Sequence, residues 1–194
     1  MRSLKLVIGA ASVAVLAATS AIAGGPGVKY GKAITEDDIA AWNIDISTSD
    51  GKGLPAGKGS VADGKKIFAE QCVTCHGEEA KGGSNYGSMV GGIGSFTTDK
   101  RVLTPGSMYP YAPILFDYTR RAMPMTAPQS LTNDQVYALS AYILHLNGLV
   151  PADAVMDAKT LAAVQMPNKD GFIRDDRPDT KATRCMKDCP PIKN

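Results

Sequence analysis

The chain has 194 residues, 21 Lys and Arg against 19 Asp and Glu, and 44% apolar residues. That length suits one domain with long extensions. There is no basic run and no interleaving of aromatic with basic side chains, so nothing in the composition supports nucleic-acid binding.

The first element is an export signal over residues 1–23. Arg2 and Lys5 form a short basic region, Leu6 to Ala18 is nearly all apolar, and Ala21-Ile22-Ala23 supplies small residues for cleavage. The apolar core is shorter than the ~20 residues of a transmembrane helix, so a retained anchor is the weaker reading. Cleavage after Ala23 removes Arg2 and Lys5. The 21 basic residues then fall to 19, equal to the 19 acidic ones. A bacterial-type signal implies the periplasm, where disulfides persist.

Residues 24–60 read as an N-terminal extension, rich in glycine at Gly24-Gly25-Pro26-Gly27 and again from Asp50 to Gly59. Between those stretches Thr35 is a candidate N-cap, with Glu36, Asp37 and Asp38 in the first turn and Ile34 and Ile39 at staple positions. This helix is expected to end by Trp42 or Asn43. Val61 to Gln71 then reads as a helix with Gly64, Ile67, Phe68 and Gln71 on one face. Gly64 is either a weak helical position or a point of close helix approach.

That helix runs into Cys72-Val73-Thr74-Cys75-His76, the most informative segment of the chain. C-x-x-C-H is the attachment signal for a c-type haem. Two thiols three positions apart can each form a thioether to the porphyrin edge, and the next imidazole can bind the iron. A zinc site would need four ligands, yet the only other histidine is the distant His145. A thioredoxin-like dithiol would open a helix after a strand, whereas this motif closes one. One motif implies one covalent haem c.

From Gly77 to Gly106 glycine is frequent and apolar periodicity absent, which predicts a loop wrapped around something. Pro113 to Arg121 is a short helix with proline in its first turn. The clearest helix follows. Thr132 and Gln135 form a capping box, Leu131 and Val136 a staple, and Val136, Leu139, Ile143 and Leu146 an apolar stripe before Gly148. Residues 150–194 form a proline-rich, charged C-terminal extension, with one short helix near Ala158 to Val164 and the rest extended along the core. Cys185 and Cys189 remain after the haem thiols. In an oxidising compartment a disulfide closing a tight turn is the simplest reading, and a reactive or intermolecular thiol pair is its rival.

A helix entering C-x-x-C-H, a glycine-rich wrap, a short helix and a strong last helix resemble the class I cytochrome c domain, here over residues 61–149. The resemblance implies an all-α, class I cytochrome c fold with long irregular extensions. It also implies that the first and last helices cross near the haem, at Gly64 against the Leu139–Ile143 region. His76 is then the proximal ligand. Met123, just after the short helix and stiffened by Pro124, stands where this class places its distal methionine, with Met125, Met108 and His145 as alternatives. Met89 follows His76 by only 13 residues, and Met156, Met166 and Met186 lie beyond the last helix. The expected ligand set for the iron is His76 and Met123, with cofactor contacts at Cys72, Cys75, His76 and Met123. Such a closed sphere suits electron transfer rather than bond chemistry.

A narrower resemblance rests on Tyr109-Pro110-Tyr111-Ala112, Phe116-Asp117-Tyr118, Arg120-Arg121-Ala122-Met123-Pro124, Ala127-Pro128-Gln129-Ser130-Leu131, Tyr142 to Gly148 and Arg184-Cys185-Met186. These segments are similar to the SoxD-type cytochromes of bacterial sulfur oxidation. A single C-x-x-C-H is closer to the one-haem acceptors of sulfite dehydrogenases. The resemblance implies a donor that is a molybdenum sulfite or sulfane dehydrogenase, and an acceptor that is another cytochrome or a terminal oxidase. It leaves a second class open, a haem subunit taking a direct part in oxidising a sulfur substrate. It further implies docking at the exposed thioether edge, near Val73, Thr74 and Pro124 to Pro128, with Arg120 or Arg121 at the rim.

Overall fold

The computed structural model describes residues 31–173. The export signal and the Cys185–Cys189 pair therefore lie outside the described residues. The chain divides into two units, residues 1–44 and 45–194.

In the first unit the helix α1 spans Glu36–Ala40. Thr35 caps it as expected: its hydroxyl accepts from the Asp38 amide while the Asp38 carboxylate accepts from the Thr35 amide at 2.8 Å. The helix ends before Trp42. The amides of Trp42 and Asn43 both turn back to the Ile39 carbonyl, so the ladder does not continue. Ile34 stays 69% exposed, and the expected staple with Ile39 is not buried.

The second unit is built around one helix, α6, Asn133–Leu146. Preceding it are β1 (Lys58–Ser60), α2 (Val61–Gln71), α3 (Val73–His76), a 3₁₀ turn (Glu78–Ala80), α4 (Pro105–Met108) and α5 (Pro113–Ala122). After it come β2 (Val155–Asp157) and α7 (Ala158–Ala162). The expected all-α cytochrome c architecture is present among the described residues. A small antiparallel sheet is added to it, with Lys58 opposite Asp157, Gly59 opposite Met156 and Ser60 opposite Val155.

The helix α6 forms where capping and periodicity predict it. Thr132 and Gln135 exchange hydrogen bonds of 2.8 and 3.2 Å. Every residue from Val136 to Leu144 is buried, so the apolar stripe is only part of a helix enclosed on most sides. It packs against α2, α5 and β1. Against α5 the contact is Phe116 on Tyr137, with ring centroids 4.4 Å apart.

Against α2 the contact is backbone on backbone. A Cβ on Gly64 would lie 2.6 Å from the Ala138 carbonyl carbon and 2.8 Å from the Tyr142 Cβ. The crossing thus falls at Tyr142, within the expected Leu139–Ile143 region, and at Ala138 just before it. Gly59 meets the same turn, its missing Cβ 2.6 Å from the Ala138 Cα. Two glycines let a helix and a strand approach one turn of α6.

The glycine-rich wrap is held by short polar side chains as well as by Ala80, Met89 and Val90 on the apolar core. Asn147, buried at the end of α6, donates from Nδ2 to the carbonyls of Met89 (3.0 Å) and Ile143 (2.9 Å). Its Oδ1 accepts from the Gly91 amide at 3.1 Å. The Thr104 hydroxyl donates to the Gly91 carbonyl at 2.7 Å, and the Ser107 hydroxyl to that of Val102 at 2.5 Å. Downstream, Asp157 caps α7 through the amides of Lys159 and Thr160, and Met156, Leu161 and Met166 are buried in the core.

Candidate haem site

The motif forms its own turn of helix. At Cys72 the backbone leaves α2 (φ −120°), and the amides of Cys75 and His76 then bond to the Cys72 carbonyl at 3.2 and 3.0 Å. Gly77, with φ +72°, closes α3 through its amide to the Val73 carbonyl at 2.8 Å. The turn α3 and its N-cap thereby carry both thiols and the imidazole at the end of α2, and the Gly64 crossing holds α2 against α6.

Both cysteines are free, Cys72 half-buried and Cys75 exposed. Burial, and secondarily the Cys75 thiol, pushes the Cys72 pKa up to about 11, so this sulfur is a neutral thiol. Burial also lowers the His76 pKa, which favours the neutral imidazole that metals bind. His76 is braced by aromatic rings: Phe68 at 6.5 Å and Tyr86 at 5.6 Å, with Tyr142 behind Phe68 at 5.6 Å. Its Nδ1 is buried with no hydrogen-bond partner among the described residues. A buried polar atom without a partner is costly. Among the described residues there is no group of three or more His, Cys, Asp or Glu that could hold a metal ion.

The wrap also leaves Tyr86, Ile93, Val102 and Leu103 between 38% and 53% exposed. Apolar side chains concentrated on one loop in this way are suited to covering a large apolar group. The two thiols and the imidazole on one helical turn, together with this apolar wrap, fit a covalently attached haem.

The methionines separate by environment. Met156 and Met166 are core residues, 5% and 4% exposed. Met89 packs partly buried on the core, and the Met108 carbonyl accepts from Asn168 Nδ2 at 2.8 Å. Met123 ends α5, its amide donating to the Thr119 carbonyl at 3.0 Å, and it is half-buried. The peptide to Pro124 is cis. Met125 is 61% exposed, and its sulfur accepts from the Tyr86 hydroxyl at 3.8 Å. His145 is half-buried with Nδ1 3.1 Å from the Val150 carbonyl, a position after the last helix turn. Tyr86 was not singled out by the sequence, because it sits in a glycine-rich stretch without periodicity. Arg121 pairs with Asp117 at 2.9 Å and Asp45 at 3.4 Å, so this cation ties α5 to the segment entering the domain.

The cytochrome c family model matches residues 61–147. Among solved structures, the chain is similar to the sulfane dehydrogenase SoxCD from Paracoccus pantotrophus. The TM-score is 0.72 and the identity 37%, over 86% of this chain and 84% of that one. This chain belongs to the cytochrome c family. Covalent haem c is the family's cofactor, and the C-x-x-C-H of this cytochrome is its attachment sequence. The cytochrome is also 30% identical over 114 residues to the CcoP subunit of the cbb3-type cytochrome c oxidase of Rhodobacter capsulatus. For the CcoP of a second strain of the same species the identity is 28%. These matches cover 58% of the cytochrome and span only 36% of the CcoP chains. The common ground is a haem protein of electron transfer. Among the described residues no helix is long and apolar enough to cross a membrane.

Proposed function

We propose that this cytochrome is a periplasmic mono-haem electron carrier. It accepts electrons from a molybdenum sulfite or sulfane dehydrogenase and passes them to another cytochrome or a terminal oxidase of the respiratory chain. The observation that carries this reading is the 37% identity across 84% of a chain in a sulfane dehydrogenase structure. In this reading residues 1–23 leave on export, and 24–60 and 150–194 flank the haem domain at 61–149.

Cys72 and Cys75 would hold the haem through thioethers. His76 and Met123 would ligate its iron. The bound haem supplies a one-electron couple. The protein residues set its properties. Phe68 and Tyr86 flank the His76 ring, and burial lowers its pKa, which favours the neutral form. A thioether from Met123 is a soft ligand that favours the reduced metal and raises the potential. With His76 and Met123 both given to the iron, the group would serve to pass electrons rather than to bind substrate. Thr74 and Cys75 are exposed, so the thioether edge is open to a redox partner through a small, short-lived contact.

A second reading draws on the same likeness, since that structure is itself a sulfane dehydrogenase. Here the chain is the haem subunit of a sulfur-substrate oxidoreductase and takes a direct part in catalysis. Mixing the oxidised cytochrome with sulfite, with and without a purified sulfite dehydrogenase from the same genome, separates the two. The carrier reading expects rapid haem reduction only when the enzyme is present. Reduction by a sulfur substrate in the absence of any donor enzyme would favour the second.

A further inference from the structure

The C-terminal extension does more than flank the haem domain, because residues 166–172 lie on the wrap. We propose that these residues are a strap that holds the loop 92–103 closed, so that the tail rather than the core governs how far this loop opens. The inference rests on the reading in which the apolar side chains of this loop cover the haem.

The loop has little else to hold it. Its base is closed where the Thr104 hydroxyl donates to the Gly91 carbonyl at 2.7 Å, and within it the Val102 amide donates to the Ser95 hydroxyl at 2.9 Å. Val90, just before the loop, packs on the apolar core, but among the described residues no apolar side chain from 92 to 103 does so. Ile93, Val102 and Leu103 are exposed, and Phe96 is half-buried outside the core cluster. A segment with few buried apolar contacts opens locally at low cost.

The strap supplies contacts that the core does not. Met166 anchors it in the core. Two residues on, Asn168 Nδ2 donates to the Met108 carbonyl at the end of α4, at 2.8 Å. The amides of Lys169 and Gly171 then turn back to the Met166 and Asn168 carbonyls at 3.2 and 3.1 Å. Phe172 follows that turn and meets Phe96, with ring centroids 5.5 Å apart, inside the range of favourable aromatic pairs. Phe172 itself stays exposed, so its ring serves the loop and not the core. Gly94, Phe96 and Thr97 face Pro167 and Asn168 across one small cavity, which places loop and strap side by side. Gly171 leaves room for the amide, since a Cβ there would lie 2.6 Å from the Asn168 Cγ.

Asn168→Ala and Phe172→Ala test the strap in the holoprotein, because neither residue belongs to the core cluster. Amide hydrogen exchange, read by mass spectrometry, should speed roughly five-fold across 92–103 in either variant and further in the double variant. Gly171→Ala, which crowds the Asn168 amide without removing it, should match Asn168→Ala. Lys169→Ala, at an exposed position between them, should leave the loop as in the wild type. Peptides of α6 should keep their wild-type rates throughout. The reduction potential should fall in the strap variants, since solvent reaching the haem favours its ferric state. Unchanged loop exchange in the double variant overturns the strap. So does an equal acceleration in α6, which would make residues 166–172 part of the core. Faster loop exchange at an unchanged potential supports the strap and overturns the haem-covering role of the loop.

Discussion

Replacing Gly64 by alanine tests the helix crossing on which the haem site is built. The new methyl carbon would stand 2.6 Å from the Ala138 carbonyl carbon and 2.8 Å from the Tyr142 Cβ, closer still to the Ala138 oxygen. Comfortable carbon–carbon contact begins near ~3.5 Å, so α2 and α6 must separate by about 1 Å. The obstacle is backbone, which no rotamer change can clear. Alanine gains up to about 1 kcal/mol of helix propensity over glycine, and overpacking costs about 1–3 kcal/mol or more. A contact this short lies at the costly end, leaving a net loss of about 2 kcal/mol. For a domain of this size that is a fall of roughly 4–8 °C in Tm. Thermal unfolding of the oxidised holoprotein, followed by helical circular dichroism, measures it. Lys65→Ala, on the exposed neighbour, should change little and serves as the reference. A Gly64→Ala protein as stable as the wild type, or more so, would refute the close crossing.

Met123→Ala should lower the reduction potential and open the ferrous protein to carbon monoxide, whereas Met125→Ala should leave carbon monoxide binding near wild type; optical titration checks both. Asn147→Ala removes three hydrogen bonds to the backbone at the base of the wrap. It should cost about 2 kcal/mol and speed amide exchange at Gly91 and its neighbours, read by hydrogen-exchange mass spectrometry. Burial pushes the Tyr137 pKa up to about 12, and its hydroxyl donates to the Pro55 carbonyl at 2.7 Å. A raised pKa gives stability that is complete below the unfolded value of about 10 and is lost as pH climbs toward about 12. Denaturant titrations should therefore show the wild type losing its advantage over Tyr137→Phe across that window, and a constant difference would contradict the assignment.

The parts of the fold legible in the sequence are those governed by local rules. The capping box at Thr132, the N-cap at Thr35, the helix running into Cys72 and the proline-started α5 all depend on residues within four positions of each other. The sheet was not legible, because Gly59 and Met156 pair across nearly a hundred residues and three-residue strands carry no period. The same holds for α4, a single turn inside a glycine-rich stretch where Thr104 caps Ser107. At the candidate site the sequence names the thiols and imidazole because their spacing is itself the chemistry. It prefers Met123 over Met125 only by its place after the short helix, because the contacts of a loop methionine, such as that of Met125 with Tyr86 39 positions away, come from other loops. Arg121 shows a further limit. Its position on α5 suggests a docking cation, yet Asp117 one turn back and Asp45 far upstream already engage it.

The central claim is that one haem is covalently bound through Cys72 and Cys75. Intact-mass analysis of protein purified from the periplasm and denatured in acid tests it most directly, because denaturation releases any haem held by the iron alone. The account predicts a polypeptide lacking residues 1–23 with the mass of one haem still attached, and no alkylation at Cys72 or Cys75. A bare polypeptide mass, or haem lost on denaturation with both thiols open to alkylation, would contradict it.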